Sequence, residues 1–190
     1  SAWRDARIAR IYEGTNEINK LVIIGMIIKK ALKGHLNLIE KAEDVANELT
    51  DIPSFDIPEF DELFSEEKYV IKNLKKVFLM LAGAGMKKFG MDLEKEQEVL
   101  LRISEIIIEI YMSESAILRT EKNSKRFGLE NQSSQIAMSK LYLYESCELI
   151  IKKAKELIVS LSEGSEQKFL LSGLKRFTKY FNYPNTIELK

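Results

Sequence analysis

The chain has 190 residues, of which 45% are hydrophobic and 31% are charged, so it is long and apolar enough to fold around its own core. Lysine plus arginine equals aspartate plus glutamate, 29 each, and this balance argues against a nucleic-acid-binding protein, which needs excess positive charge to meet phosphates. The single cysteine and single histidine exclude an intramolecular disulfide and a histidine-rich metal site. Such low cysteine usage is typical of a reducing compartment, and we expect a cytoplasmic protein.

Two helices separated by a polar break are predicted at the start of the chain. Residues 4–12 have the pattern of the end of one helix. Gly14 can adopt the positive φ that ends a helix, and Thr15 or Asn16 can cap the next one. Glu17 then lies in the first turn, where a negative charge is favourable. The second helix is expected either to end near residue 34 or to continue, bent, to residue 49.

A segment of different character follows at residues 50–64, where two prolines and several acidic residues interrupt the helical pattern. Apolar residues nevertheless recur in it, namely Ile52, Phe55, Ile57, Phe60 and Phe64. We interpret this segment as an ordered connector whose apolar side chains fill surface grooves. A flexible linker is the alternative, although linkers rarely carry three phenylalanines.

From residue 65 onward, apolar residues recur three and four positions apart, which is the spacing of helices in a bundle. Four helices are expected, with boundaries at Ser65 to Gly90, Asp92 to about Gly128, Ser133 or Ser134 to Gly164, and a last amphipathic helix carrying Phe169 to Phe181 and extending to Pro184. No strand pattern occurs. The sequence therefore predicts an all-α fold, an up-and-down four-helix bundle preceded by a helical lead-in.

Two groups of residues suggest chemistry but are better interpreted as structure. Gly83 and Gly85 lie late in a helical stretch, without the preceding strand of a phosphate-binding loop, so we expect them to let two helices approach closely. The carboxylates of Glu105, Glu109 and Glu114 resemble those of di-iron bundles, but such sites need paired Glu-x-x-His motifs and the chain has one histidine. We interpret these three residues as a solvated face.

Three further features are also expected to be structural. His35 follows a glycine at a predicted bend and is expected to be a cap or a surface residue. Cys147 lies on an apolar stripe and is expected to be a small core residue. The apolar stripe at residues 21–32 can contact a membrane surface, but packing against a partner helix or domain is favoured.

The stretch RDARIARIYEGTNEINKLVI, residues 4–23, resembles the signature near the end of the catalytic region of the acyl-CoA dehydrogenase family. The family pattern has Arg-Asp, a short spacer, Ile-Tyr-Glu-Gly-Thr, a two-residue spacer and an isoleucine before an apolar helix. The matching residues here are Arg4, Asp5, Ile11, Tyr12, Glu13, Gly14, Thr15 and Ile18. The helical sequence that follows resembles the extra C-terminal domain of the very-long-chain type, with a faint likeness at QSSQIAMSKLYLYESCELI, residues 132–150.

This resemblance implies that the chain is a C-terminal fragment of a longer enzyme. The implied organisation is the end of the catalytic helical domain over residues 1–49, an ordered connector over 50–64, a C-terminal helical bundle domain over 65–184 and a tail over 185–190. The fragment itself is expected to be inactive and to bind no flavin, because most of the sequence that binds FAD and acyl-CoA in the family is absent from it.

The resemblance also implies a reaction, the FAD-dependent α,β-dehydrogenation of a fatty acyl-CoA to the trans-2-enoyl-CoA. In the family, the glutamate of the Tyr-Glu-Gly-Thr segment removes the α proton as a hydride leaves the β carbon for the flavin, which makes Glu13 the catalytic base. Gly14 is expected to contact the substrate, because a side chain there would crowd the thioester. Thr15, Asn16 and Glu17 fall where the family contacts FAD.

The family further implies an electron-transfer flavoprotein as electron acceptor, a homodimer, and a role in fatty acid β-oxidation. Peripheral membrane contact is an additional interpretation of the stripe at residues 21–32, and no nucleic-acid partner is expected. The alternative function is a stand-alone helical module for protein interaction or membrane docking, without catalysis, in which the signature is coincidental.

Overall fold

The computed structural model describes residues 2–8, 10–51 and 58–189. These residues form helices and contain no strand, which confirms the predicted all-α fold. The helices are α1 Ala2–Ile8, α2 Asn16–Leu32, α3 Leu38–Thr50, α4 Ser65–Phe89, α5 Gln97–Phe127, α6 Ser133–Leu161, α7 Gly164–Phe177 and α8 Thr186–Leu189, with short 3-10 segments at Gly90–Lys95 and Glu130–Gln132.

Helices α4 to α7 form an antiparallel bundle. Lys68 near the start of α4 pairs with Glu121 near the end of α5 at 2.7 Å, so these two helices run in opposite directions. Short connections then reverse the chain again into α6 and into α7. At the other end of the bundle, Lys87 of α4 pairs with Glu166 at the start of α7 at 2.6 Å. The alternation of directions is that of an up-and-down bundle.

The apolar stripes predicted from sequence form the core of this bundle. Their central members are almost completely buried: Val70, Leu74, Val77 and Leu81 of α4, Ile103, Ile106, Ile110 and Ile117 of α5, and Leu143, Cys147, Ile150, Ala154 and Leu157 of α6. Each large aliphatic side chain buried in this way contributes about 1.5–3 kcal/mol relative to an exposed position. Periodic burial therefore explains why these three long segments are helical and antiparallel.

The helical lead-in packs on the bundle, with α2 along α5 and α3 along α4. A Cβ atom on Gly83 would lie 3.7 Å from the Ala42 Cβ of α3, and one on Gly85 would lie 3.5 Å from Leu93, which are ordinary van der Waals distances. Each position therefore has space for a methyl group, and the interpretation of these glycines as close-approach residues stays a prediction.

Interpreting the three carboxylates of α5 as a solvated face was wrong for two of them. Glu105 is half-buried and binds Lys20 of α2 at 2.7 Å and also Lys153 of α6. Glu109 is half-buried too, and accepts hydrogen bonds from two hydroxyls of α6. Both carboxylates lie between α5 and α6, which the predicted bundle places side by side, and Glu105 also contacts α2, whose position on α5 the sequence did not predict.

Of the two ends predicted for the helix after the first break, the one near residue 34 is confirmed. The helix ends at Leu32, Gly34 has φ +73°, and α3 begins separately at Leu38, so the helix does not continue to residue 49. The predicted start of the second bundle helix was wrong. Asp92 does not cap α5. It lies in the 3-10 segment, and α5 begins at Gln97.

The last long helix ends at Phe177 rather than extending to Pro184. The reason is a distant contact, since the Glu66 carboxylate at the start of α4 accepts the N–H groups of Phe181 and Asn182 at 2.8 and 2.7 Å. These bonds hold residues 178–185 in a non-helical path across the end of the bundle.

Residues 52–57 of the predicted connector, including Ile52, Phe55 and Ile57, lie outside the described residues. In the remainder, the Phe60 ring contacts the rings of Tyr69 and Phe181 at centroid distances of 5.8 and 5.7 Å, and Phe64 is buried. The division of the chain into domains stays a prediction. Among the described residues, no helix is long and apolar enough to cross a membrane.

Candidate functional site

The turn between α1 and α2 holds all five residues predicted to form a site. Gly14 has φ +96°, which confirms the positive φ expected of it. Glu13 also has a positive φ, +59°, which the sequence did not predict. A non-glycine residue in this region costs about 1–3 kcal/mol and persists only where neighbouring contacts enforce it. The two successive positive-φ residues, Glu13 and Gly14, lie in the non-helical segment that separates the end of α1 from the start of α2.

Thr15 caps α2, as predicted, by accepting the N–H of Ile18 on its hydroxyl oxygen at 3.3 Å. The N–H of Asn16 is also occupied, because it donates to the Arg10 carbonyl at 3.2 Å. Within the described part of the chain, the N–H of Glu17 and the hydroxyl proton of Thr15 have no partner. These two donors are therefore free to bind a ligand at the positive end of the helix.

Asn19 belongs to the same turn, although sequence reasoning missed it. Its side-chain Nδ2 donates to the Gly14 carbonyl at 2.8 Å. A Cβ on residue 14 would lie only 2.8 Å from the Asn19 Oδ1, so the amide packs where a side chain of residue 14 would have to be. Asn19 could have been identified from the sequence, because an asparagine in the first turn of a helix can bind a backbone group of a glycine break just before that helix.

The surroundings of Glu13 are exposed and apolar. No described residue donates a hydrogen bond to the Glu13 carboxylate, and Glu13 itself is exposed. The side chains around it are large and apolar, with Ile11 70%, Tyr12 60% and Ile18 53% exposed. Clustered exposed apolar groups mark a surface that another surface or a ligand covers. In this chain, the turn is thus an open surface rather than a closed pocket.

The other residues considered from sequence are not part of the turn. His35 is exposed in the α2–α3 turn, as expected of a surface residue. Cys147 is buried in the core, as expected, and burial raises the pKa of its thiol to about 12, so it is not a nucleophile at neutral pH. Among the described residues, no three histidine, cysteine, aspartate or glutamate side chains are grouped so as to hold a metal ion.

An apolar groove of about 900 Å³ lies between the α2–α3 pair and helices α4 and α7. Its lining on α2 begins at Ile24 and includes Leu32. Ile24 is about three helical turns from Glu13 along α2. The groove is therefore separate from the turn that carries the predicted site.

Comparison with known proteins identifies relatives of the whole chain. Residues 73–176 match the family described as acyl-CoA dehydrogenase, C-terminal domain. A probable acyl-CoA dehydrogenase of Bacillus subtilis (strain 168) is 38% identical over 180 residues, which are 94% of this chain and 30% of that protein. The crystal structure of an acyl-CoA dehydrogenase complexed with FAD from Bacillus anthracis superposes with a TM-score of 0.89 at 38% identity, over 98% of this chain and 31% of that one. The chain thus spans about a third of the length of these relatives.

Proposed function

This chain belongs to the acyl-CoA dehydrogenase C-terminal domain family, and we propose that it is the C-terminal part of an FAD-dependent enzyme that oxidises a fatty acyl-CoA to the trans-2-enoyl-CoA. Glu13 is the general base that removes the α proton of the thioester. The observation that carries this assignment is the backbone of Glu13, which is held at φ +59° with its carboxylate unbound by any described residue. Strained backbone of this kind is concentrated at functional sites.

A carboxylate without an internal partner is suited to accept a proton, because its lone pairs are available. Glu105 gives the contrast within the same chain. Hydrogen bonds from Lys153 and Lys20 outweigh the effect of burial and lower the pKa of Glu105 to about 2, so that carboxylate is a very poor base. None of the described residues forms such an ion pair with Glu13, and a covering apolar surface would favour its proton-accepting role by excluding water.

The remaining residues of the turn fit the cofactor and substrate. Bound FAD supplies the acceptor for the hydride that leaves the β carbon. The free N–H of Glu17 and the hydroxyl of Thr15 would donate to polar cofactor atoms at the positive end of α2. Asn16 would contribute through its side chain, since its N–H already binds the Arg10 carbonyl. Gly14 leaves space for the thioester.

We expect the chain by itself to be inactive and to bind no flavin. Glu13 lies beside exposed apolar side chains, so the opposite wall of the site must come from other parts of the enzyme. Absorbance of the purified 190-residue chain at flavin wavelengths measures this directly. One equivalent of FAD per chain would contradict the expectation and would mean that the turn, with its nearest helices, is a sufficient binding site.

The finer assignments rest on resemblance and are part of the proposal. The α4–α7 bundle is placed as the extra C-terminal domain of the very-long-chain type, supported by its all-helical packing against α2 and α3. A homodimer, an electron-transfer flavoprotein as acceptor and a role in fatty acid β-oxidation follow from the same resemblance. The exposed apolar residues of α2, including Val22 and Met26, are the surface on which peripheral membrane contact would occur.

The decisive experiment compares Glu13→Gln with the wild type in the full-length enzyme. Long-chain acyl-CoA is added without oxygen and flavin absorbance is followed. Wild-type flavin should bleach rapidly, and the variant should bleach more slowly by several orders of magnitude, because an amide cannot accept the α proton. Glu94→Gln is the matched control, since Glu94 is exposed and has no described partner, and it should behave like the wild type.

Two other outcomes would redirect the assignment. Equal bleaching in Glu13→Gln and wild type would keep the reaction and show that the base is elsewhere. A full-length protein without flavin, and without any response to acyl-CoA, would favour the alternative of a helical interaction or membrane-docking module, for which the exposed apolar side chains around the turn would be the contact surface.

A further inference from the structure

We propose that Asn19 is a positioning residue for the base, which holds the Glu13-Gly14 turn in its left-handed conformation through the side-chain hydrogen bond to Gly14. Asn19 does not contact the reacting atoms in this role, and it acts only on the orientation of Glu13. The inference rests on the proposed function, because positioning has a catalytic meaning only if Glu13 is the base.

The geometry shows how a single side chain can control two residues. Gly14 is the last residue before the helix cap, and its carbonyl points to the side of α2 where Asn19 lies, at 2.8 Å from Nδ2. The backbone N–H of Asn19 binds the Thr15 carbonyl at 2.9 Å, so the residue is itself fixed in the first turn of the helix. The amide therefore connects the first turn of α2 to the carbonyl of Gly14, the second of the two positive-φ residues.

Other described contacts of the turn do not perform this function. Thr15 accepts the N–H of Ile18, which fixes the start of the helix, and the N–H of Asn16 donates to the Arg10 carbonyl, which joins the two ends of the turn without contacting the Gly14 carbonyl. None of the described residues binds the Glu13 side chain. Without the Asn19 amide, the Gly14 carbonyl loses its described side-chain partner, and we expect Glu13 to relax towards the ordinary negative φ within the loop that the Asn16–Arg10 bond closes.

The choice of residue supports the same conclusion. Asparagine is a poor residue for the interior of a helix, since its amide competes for backbone groups, and here the amide satisfies a carbonyl outside the helix. Asn47 of α3 offers the comparison, because it is an exposed helical asparagine whose side chain makes no described hydrogen bond. The same substitution at Asn47 adds a carboxylate to an exposed helix position without removing a described side-chain hydrogen bond, although it lies in the last turn of α3, where a negative charge is less favourable than in the first turn of α2.

The first test uses Asn19→Asp in the 190-residue chain, with Asn47→Asp as control, and measures the φ of Glu13 by NMR from backbone chemical shifts and the intraresidue HN–Hα NOE. The introduced carboxylate is close to the size of the amide but repels the Gly14 carbonyl at neutral pH. The positive-φ signature of Glu13 should be lost at pH 7. It should return near about pH 3, where the carboxyl is protonated and can donate again. Loss of the signature at pH 7 with recovery in acid would show that the turn depends on this hydrogen bond, and the catalytic meaning of the bond is tested in the full-length enzyme.

The second test uses the same variants in the full-length enzyme and measures flavin reduction by acyl-CoA. Asn19→Asp should reduce kcat at least tenfold per bound flavin, with KM changed less than twofold and FAD content unchanged. Asn47→Asp should match the wild type. Loss of FAD or of folded protein in parallel with activity would overturn the positioning role and assign Asn19 to stability alone.

The two tests separate failure of this inference from failure of the proposed function. If wild-type enzyme reduces flavin and Asn19→Asp does so equally fast, the positioning role is overturned while the reaction stands. If wild-type enzyme shows no reduction, the proposed function fails, and the positioning role fails with it even where the NMR signature of the turn responds to Asn19→Asp. If Glu13 keeps its positive φ in Asn19→Asp at pH 7, the structural basis of the inference is wrong.

Discussion

The ion cluster around Glu105 gives a quantitative prediction about stability. Glu105 of α5 receives Lys20 of α2 and Lys153 of α6, so one carboxylate connects three helices, and its side chain is only 17% exposed. Arg102, one turn away, approaches the same carboxylate at 3.3 Å. Replacement by glutamine removes the charge with little change of shape and leaves the two lysines without their shared acceptor.

The magnitude follows from the pKa of Glu105. Burial opposes ionisation, but the hydrogen bonds from Lys153 and Lys20 outweigh it and lower the pKa from the ordinary 4.5 to about 2. At about 1.4 kcal/mol per pH unit this corresponds to about 3 kcal/mol, and solvent access to the lysines reduces it. We expect Glu105→Gln to lower the free energy of unfolding by about 1–2 kcal/mol at pH 7.

The pH dependence provides the sharper test. Because the folded-state pKa is lowered, the stabilisation is complete above pH 4.5 and is lost as the pH falls from 4.5 to about 2. The difference in unfolding free energy between wild type and Glu105→Gln should therefore become small near pH 2, where the wild-type carboxyl of the folded chain is about half protonated. Urea denaturation followed by circular dichroism at pH 7, 4 and 2 measures this difference.

Glu114→Gln is the matched control on the same helix. Glu114 pairs with Lys75 of α4 at 2.6 Å, but both side chains are more exposed, 35% and 46%. A single exposed pair of this kind contributes less than about 1 kcal/mol. Equal losses in the two variants, or a Glu105→Gln loss that stays constant down to pH 2, would refute the reasoning that three-helix coordination of a half-buried carboxylate is the source of the stability.

Two further predictions concern packing and the thiol. Gly173→Ala should lower the free energy of unfolding by up to about 2 kcal/mol, because the added Cβ would lie 2.7 Å from Leu49 Cδ2 and 3.0 Å from Met80 Sδ and these side chains would have to shift, which the better helix propensity of alanine offsets in part. Gly25→Ala is the control, because its Cβ would meet nothing within 4 Å, and it should leave the free energy of unfolding unchanged or raise it by up to about 1 kcal/mol. Equal changes of the melting temperature in the two variants would contradict the packing argument. Cys147 should react with a coloured disulfide reagent only when urea unfolds the chain, because burial raises the pKa of its thiol to about 12. Rapid labelling of the native chain at neutral pH would contradict this and would show that the core opens.

Much of the fold was predictable because the relevant signals are local. The apolar residues of α5 and α6 recur three and four positions apart, so only one face of each helix can be buried, and those faces form the core. Gly90 and Gly128 end their helices with positive φ, as their permissive backbone suggests. The cap of α2 at Thr15 follows the same logic, because a hydroxyl at a helix start accepts the N–H three residues on.

Tertiary structure decided the features that depend on residues far apart in the chain. The end of α7 at Phe177 depends on Glu66, more than a hundred residues earlier, whose carboxylate accepts N–H groups beyond the helix. The burial of Glu105 depends on the arrival of α2 and α6, which gives an apparently surface carboxylate two lysine partners. Periodicity contains no information on either contact, because it reports which face is buried and not which helix covers it.

The candidate site divides in the same way. The sequence by itself determined that a glutamate precedes a glycine at a break between two helices, and that a threonine can cap the second. The positive φ of Glu13 is seen only in the folded chain, whereas the bond from the Asn19 amide to the Gly14 carbonyl is a local contact between residues five positions apart that sequence reasoning missed. The physical reason is that a helix cap is fixed by neighbouring residues, whereas an unfavourable backbone conformation needs a contact, formed on folding, that offsets its cost.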